Sequence, residues 1–183
     1  MPAFDDLLEH LELPQCHCLN AATEHRLRDC LDRESRDDPT KYLQSDADEQ
    51  LLISLKFMSA VNISAIVLQA ALDRADDAPS SMKLFVNPVG LDFDSAESNT
   101  PTQEFTLSKS DVVSGSKIEL RFVKFQKVQE LGIFLPGNLS DGEETVLGKL
   151  AVLGESVQHT GLKRSAEEQA SASKADWLGK GIS

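Results

Sequence analysis

The centre of the chain is a series of short apolar runs with a two-residue spacing, cut by segments rich in Gly, Pro, Asn and Asp. Leu51, Ile53, Leu55 and Phe57 alternate in part, and Val61 to Leu68 alternate less cleanly. Met82, Leu84 and Val86 alternate again, with Phe85 apolar on the opposite face, and Phe105 and Leu107 make a short piece. Ile118, Leu120, Phe122, Val123 and Phe125 read as one long strand, followed by Leu131 to Leu135 and Val146 to Leu153. Successive side chains of a strand point to opposite faces, so this spacing marks half-buried strands. Phe, Val and Ile suit such a pleated surface. Strands do not alternate with helices, which argues against a parallel α/β sheet. The pattern predicts an all-β sandwich or barrel.

The flanks differ. Phe4, Leu7, Leu8 and Leu11 stand at i, i+3, i+4 and i+7, which predicts a short amphipathic helix within residues 1–15, stopped by Pro14. From Gln15 to Asp38 the chain is dense in charge and holds all three cysteines; it reads as irregular, with a helical turn around Leu27 to Leu31. After Gly154 the apolar pattern ends, and residues 158–183, rich in Ser, Ala, Lys, Glu and Gly, are expected to be disordered. Trp177 is a candidate docking anchor in that tail.

A length of 183 residues suits one core. The formal charge of −12 argues against binding to phosphate backbones or to anionic membranes. Arg121, Lys124 and Lys127 flank one strand, but neighbouring acids weaken any nucleic-acid reading. No run approaches the ~18 apolar residues of a spanning helix, and no secretory signal opens the chain. Three cysteines do not make a disulfide framework, so a cytoplasmic or nuclear location is expected. The Asn138-Leu139-Ser140 sequon is then an accident of a polar loop.

Reactive constellations are sparse. Cys16, His17, Cys18, His25 and Cys30 offer thiol and imidazole groups, but Cys-x-Cys is a poor zinc spacing and Cys-x-x-Cys is absent. Cys18 and Cys30 read better as small apolar fillers. Gly-x-Ser-x-Gly, Gly-x-Gly-x-x-Gly and the Walker loop are missing. Asp92 and Asp94 could be paired carboxylates or calcium ligands, yet in a loop after Pro88 and Gly90 they more often solvate a turn. No catalytic residue, cofactor or metal site is expected. The clearest surface feature is an acidic junction, where Asp46, Asp48 and Glu49 run into the strand that starts at Leu51.

Several motifs in order carry a resemblance. Cys18-Leu19-Asn20, Cys30-Leu31, Ser45 to Leu52, Leu84 to Asn87 and Leu91 to Asp94 come first. Pro101-Thr102-Gln103, Arg121 to Gln126 and Gly142-Glu143-Glu144-Thr145 follow. Over residues 16–157 they resemble the PITH domain, most of all the version that follows a thioredoxin module in thioredoxin-like proteins. That resemblance implies a jelly-roll-like β-sandwich similar to galactose-binding domains. It also implies association with the proteasome regulatory particle, the interaction for which the domain is named, and no catalytic residue. The thioredoxin module is missing here, so its redox activity is not implied. The expected function is a non-enzymatic interaction module, with Asp46, Asp48, Glu49, Asp92 and Asp94 as candidate partner contacts. Two alternatives stand beside it: small-molecule or carbohydrate binding by loops at one end of the sandwich, and a thiol- or metal-linked role for the cysteines.

Overall fold

A computed structural model describes residues 4–157; the expected disordered tail and Trp177 lie outside them. In chain order the first strands are β1 (Asp5–Asp6), β2 (His17–Leu19), β3 (Leu43–Gln44), β4 (Leu51–Gln69) and β5 (Ser81–Val86). The later ones are β6 (Gln103–Thr106), β7 (Lys117–Glu119), β8 (Val128–Leu135), β9 (Val146–Leu147) and β10 (Lys149–Ser156). Short helices α1 (Leu27–Leu31), α2 (Phe93–Ser98) and α3 (Lys109–Ser114) fill the connections.

β4 organises the fold. Its first half pairs antiparallel with β8 from Leu51↔Leu135 to Lys56↔Glu130, and with β2 on its other side. Its second half pairs with β10 from Val61↔Ser156 to Gln69↔Lys149, and with β7 opposite. The sheet order β1-β10-β4-β8-β5-β6 therefore curls on itself, and β4 belongs to both leaves of a β-sandwich. The two runs expected as separate strands are one strand, bent where its register against β8 shifts between Lys56 and Val61.

A bulge explains why the second run alternates poorly. Leu51, Ile53, Leu55, Phe57, Val61 and Ile63 belong to the core, and then Ile66 and Leu68 do. The parity changes at Ser64, because Leu153 pairs with Ala65 and the next residue, Gly154, pairs with Ile63. One extra residue on one strand reverses the face that follows. The Ser64 hydroxyl donates to the Leu153 carbonyl at 3.1 Å. Gly154 is required at this spot: a Cβ there would overlap the carbonyl oxygen of Asn62.

The N-terminal segment departs from the amphipathic helix that its stripe suggests. It forms β1, paired with β10, and a 3-10 turn over Leu7–His10, after which Leu11 bridges Phe57 and a second 3-10 turn covers Leu13–Gln15. Leu7 and Leu11 are buried in the common core, so sheet pairing overrides the local helical spacing. Strand β7 is also shorter than expected. Pairing with β4 ends beside the bulge, and the chain turns into a 3-10 segment over Phe122–Lys124 that leaves Val123 80% exposed while Phe125 is buried. The helical turn around Leu27 to Leu31 forms as expected.

A second apolar cluster lies apart from the main core. Leu52, Phe85 and Phe134 are covered by Ala96 of α2, with Leu91 and Phe93 packed beside them. Burying side chains of this size contributes about 1.5–3 kcal/mol each. The cluster fixes α2 next to the start of β4.

Candidate functional site

The acidic junction is stapled from two sides. Asn20, at φ 68°, occupies the left-handed region that Asn tolerates better than most residues. Its side-chain amide donates to the Asp48 carbonyl (3.1 Å), Asp48 Oδ1 (2.8 Å) and the Gln50 carbonyl (2.7 Å). Its Oδ1 accepts from the Ala47 N–H at 3.0 Å. Asp48 Oδ1 also accepts from the Gln50 N–H at 3.0 Å, closing the turn on itself.

From beneath, the fully buried Thr145 donates its hydroxyl to the Glu49 carbonyl at 2.6 Å. Its backbone exchanges two bonds with Ser45: the Thr145 N–H donates to Ser45 Oγ, and the Ser45 N–H donates to the Thr145 carbonyl, each at 2.9 Å. Buried Asn138 completes the network, donating to the Gly142 and Glu144 carbonyls and to Thr145 Oγ1. The amide nitrogen of the sequon is thus enclosed and engaged in the fold. Buried polar groups paired in this way hold a backbone rigidly, because breaking one bond strands a desolvated partner.

The expected Asp92–Asp94 loop is the start of α2. Asp92 is its N-cap: its Oδ1 accepts from the Ser95 N–H (2.8 Å), and Ser95 Oγ accepts from the Asp92 N–H (2.9 Å). The Ser95 N–H, then the Ser95 side chain, hold the Asp92 carboxyl below the ordinary carboxylate range. Asp94 sits exposed in the first turn. Gln50 Nε2 donates to Glu97 Oε1 at 2.7 Å, which ties the junction to α2. The two groups of acids proposed from sequence therefore share one edge of the molecule.

That edge contains a concavity. A cleft of about 370 Å³ is lined by Glu49, Asp141 and Glu143 together with Pro136, Gly137, Asn138 and Gly142. Among the described residues, Asp46, Asp48, Glu49, Asp92, Asp94, Glu97, Asp141 and Glu143 form no ion pair. Carboxylates elsewhere do: Asp6 with Arg36, Asp77 and Glu144 with Arg74, and Asp76 with Lys109. The network residues Asn20, Ser45, Asn138 and Thr145 escaped reading by charge and spacing. Asn20, Ser45 and Thr145 were nevertheless present in the motifs that carry the resemblance.

Among the described residues the three cysteines form no disulfide, and no group of three His, Cys, Asp or Glu side chains is placed to hold a metal ion. Cys30 is buried in the core and donates to the Leu27 carbonyl. Burial pushes the Cys18 thiol up to about 12, and burial likewise raises Cys16 and Cys30. A thiol held protonated is a poor nucleophile.

A family model described as the PITH domain matches residues 1–172. The chain belongs to the PITH domain family. The PITH match takes in the N-terminal segment, consistent with the pairing of β1 to β10. Thioredoxin-like protein 1 of Schizosaccharomyces pombe is 36% identical over 158 residues, covering 84% of this chain and 52% of that protein. PITH domain-containing protein 1 of Mus musculus is 30% identical over 171 residues, covering 91% of this chain and 77% of that protein. The chain thus spans about half the length of the fission-yeast relative. These PITH relatives are named for the domain or for thioredoxin likeness, not for a catalytic activity.

Solved structures of similar fold include the family 32 CBM from C. perfringens NanJ in complex with galactose. Its TM-score is 0.55 at 11% identity, over 82% of this chain and 98% of that one. A fucolectin from striped bass serum gives a TM-score of 0.60 at 9% identity, over 84% of this chain and 50% of that one. At such identities the likeness establishes the galactose-binding-domain-like sandwich expected for a PITH domain. Among the described residues, no helix is long and apolar enough to cross a membrane.

Proposed function

We propose that this PITH domain is a non-enzymatic interaction module that docks its acidic edge on a basic surface of the proteasome regulatory particle. The observation that carries the reading is the rigid, unpaired acidic rim: Glu49, Asp141 and Glu143 around a cleft, with Asp46 and Asp48 beside it on a stapled loop. A partner lysine or arginine entering that cleft would meet carboxylates whose backbone is already ordered. Pre-ordering removes part of the entropic cost of association. Charges at such a rim mainly accelerate encounter and set salt dependence.

Pull-down of the regulatory particle with wild type and with an Asp46→Lys/Glu49→Lys double variant tests the proposal. Both side chains project from the loop whose backbone is held by Asn20 and Thr145, so the variant keeps the fold. Recovery drops sharply under the proposal. Undiminished recovery from a folded double variant would sink it.

A further inference from the structure

The sandwich has two ends. At one, β4 begins at Leu51 opposite Leu135, the last residue of β8, and the acidic edge stands there. At the other, β8 begins at Val128, β5 ends at Val86 opposite Leu131, and β7 leads through residues 121–127 into β8. The corner of β4, where its register shifts between Lys56 and Val61, also lies at this second end.

The segments at the second end differ from the rest of the chain. Residues 57–60, 87–91 and 121–127 together hold three cations and no acid, in a chain with 30 Asp and Glu residues. Arg121, Lys124 and Lys127 are exposed and form no ion pair among the described residues. The same segments carry Val89 (98% exposed) and Val123 (80%), the two most exposed large apolar side chains among the described residues, and Met58 (63%). The acids of this end, Asp5, Glu119, Glu130 and Glu155, belong to strands β1, β7, β8 and β10, and Glu130 stands opposite Lys56 in the ladder.

These projecting loops are ordered. Asn87 Oδ1 accepts from the Gln129 and Glu130 N–H groups at 2.8 and 3.0 Å, and the Lys127 N–H donates to Asn62 Oδ1 at 3.0 Å. Apolar tips on separate loops do not shape a groove for a partner's anchor. A lipid interface admits each tip independently, while cations beside the tips meet anionic headgroups. The formal charge of −12 opposes such docking only within the reach of its field. The eight residues of β8 place the acidic edge about 25 Å from these loops, roughly three Debye lengths at physiological salt.

We propose that this end docks on bilayers containing anionic phospholipid. Val89 and Val123 enter the headgroup region, and Arg121, Lys124 and Lys127 lie against the headgroups. The acidic edge then points away from the membrane and stays open to a protein partner.

Co-sedimentation of the full chain with vesicles tests this, using phosphatidylcholine alone and phosphatidylcholine with about one third phosphatidylserine. Binding to the mixed vesicles should be saturable, weaken with added salt, and be at least about fivefold tighter than to phosphatidylcholine alone. Each cation at the surface contributes about fivefold, so Lys124→Glu/Lys127→Glu should lose about 25-fold or more. Val89→Ser/Val123→Ser keeps the charge and alters only exposed side chains, and it should lose about tenfold. Undiminished binding by a folded Val89→Ser/Val123→Ser variant overturns the proposal, as does equal binding to the two kinds of vesicle. So does the absence of saturable binding to the mixed vesicles. Polyglutamate bound where vesicles are not would assign the surface to an acidic protein partner and overturn the lipid assignment.

Discussion

Replacing Thr145 by valine tests whether the network under the acidic edge holds the edge in place. The two side chains have nearly the same shape, so no cavity forms. The change removes one hydroxyl that donates to the Glu49 carbonyl at 2.6 Å and accepts from Asn138 at 3.2 Å. A hydrogen bond of this kind contributes about 1 kcal/mol, and leaving its partner buried and unpaired costs about 1–3 kcal/mol more. Because the Glu49 bond is only partly buried, the lower part of that range applies, for a total of about 2–3 kcal/mol. In a chain of this size each kcal/mol moves the melting temperature by about 2–4 °C, so a drop of roughly 4–12 °C is expected by calorimetry or differential scanning fluorimetry. Hydrogen exchange should localise the effect, with faster exchange at Ala47 and Gln50. The control is Thr106→Val, the same chemical change at an exposed position of β6, which should stay within about 0.5 kcal/mol. If Thr145→Val melts no lower than Thr106→Val, the network does not hold the edge and the reasoning fails.

Gly154→Ala places a methyl group against the Asn62 carbonyl at the β4 bulge and should cost at least ~2 kcal/mol in urea unfolding. Gly90→Ala, at φ +60° but in open space, should cost only about 1–2 kcal/mol, from backbone strain alone. Equal costs would show that the bulge has no steric requirement. The Cys18 thiol, raised to about 12 by burial, predicts a pH effect of definite sign. As pH climbs past about 9 the unfolded thiol ionises first, so the unfolded state binds fewer protons and stability falls across the window from about 9 to 12. Comparing the pH profile with that of Cys18→Ala isolates this contribution; identical slopes in that window contradict it. In native protein at neutral pH, Cys18 and Cys30 should resist a thiol reagent until denaturant is added.

The strand content was legible because period-two patterning survives wherever one face meets the core, as in Met82, Leu84 and Ile133. Patterning failed where tertiary geometry changes parity. The bulge at Ser64 moves the core face from Ile63 to Ile66, so the chain reads there as a poor strand although it is the centre of the sheet. At the N-terminus, the helical spacing of Leu7, Leu8 and Leu11 is real, but β1 and the Leu11–Phe57 bridge pin both sides of the segment to the sheet and leave Leu7 and Leu8 only a 3-10 turn between them. Ile118 to Phe125 alternates well enough for a strand, yet β4 has no straight partner edge left beyond the bulge. Charge runs located the acidic edge; its rigidity rests on Asn20, Asn138 and Thr145, neutral residues whose partners are far away in sequence. Thr145 and Glu49 are separated by 96 positions, a pairing that no local spacing signals.

The most direct test of the acidic edge is the association rate on immobilised proteasome regulatory particle, measured by interferometry at low and physiological salt. The wild-type rate should fall steeply with added salt, while Asp46→Lys/Glu49→Lys should associate slowly at both concentrations and show a flattened salt dependence. A double variant that keeps the wild-type rate and the wild-type salt dependence would contradict docking through this edge.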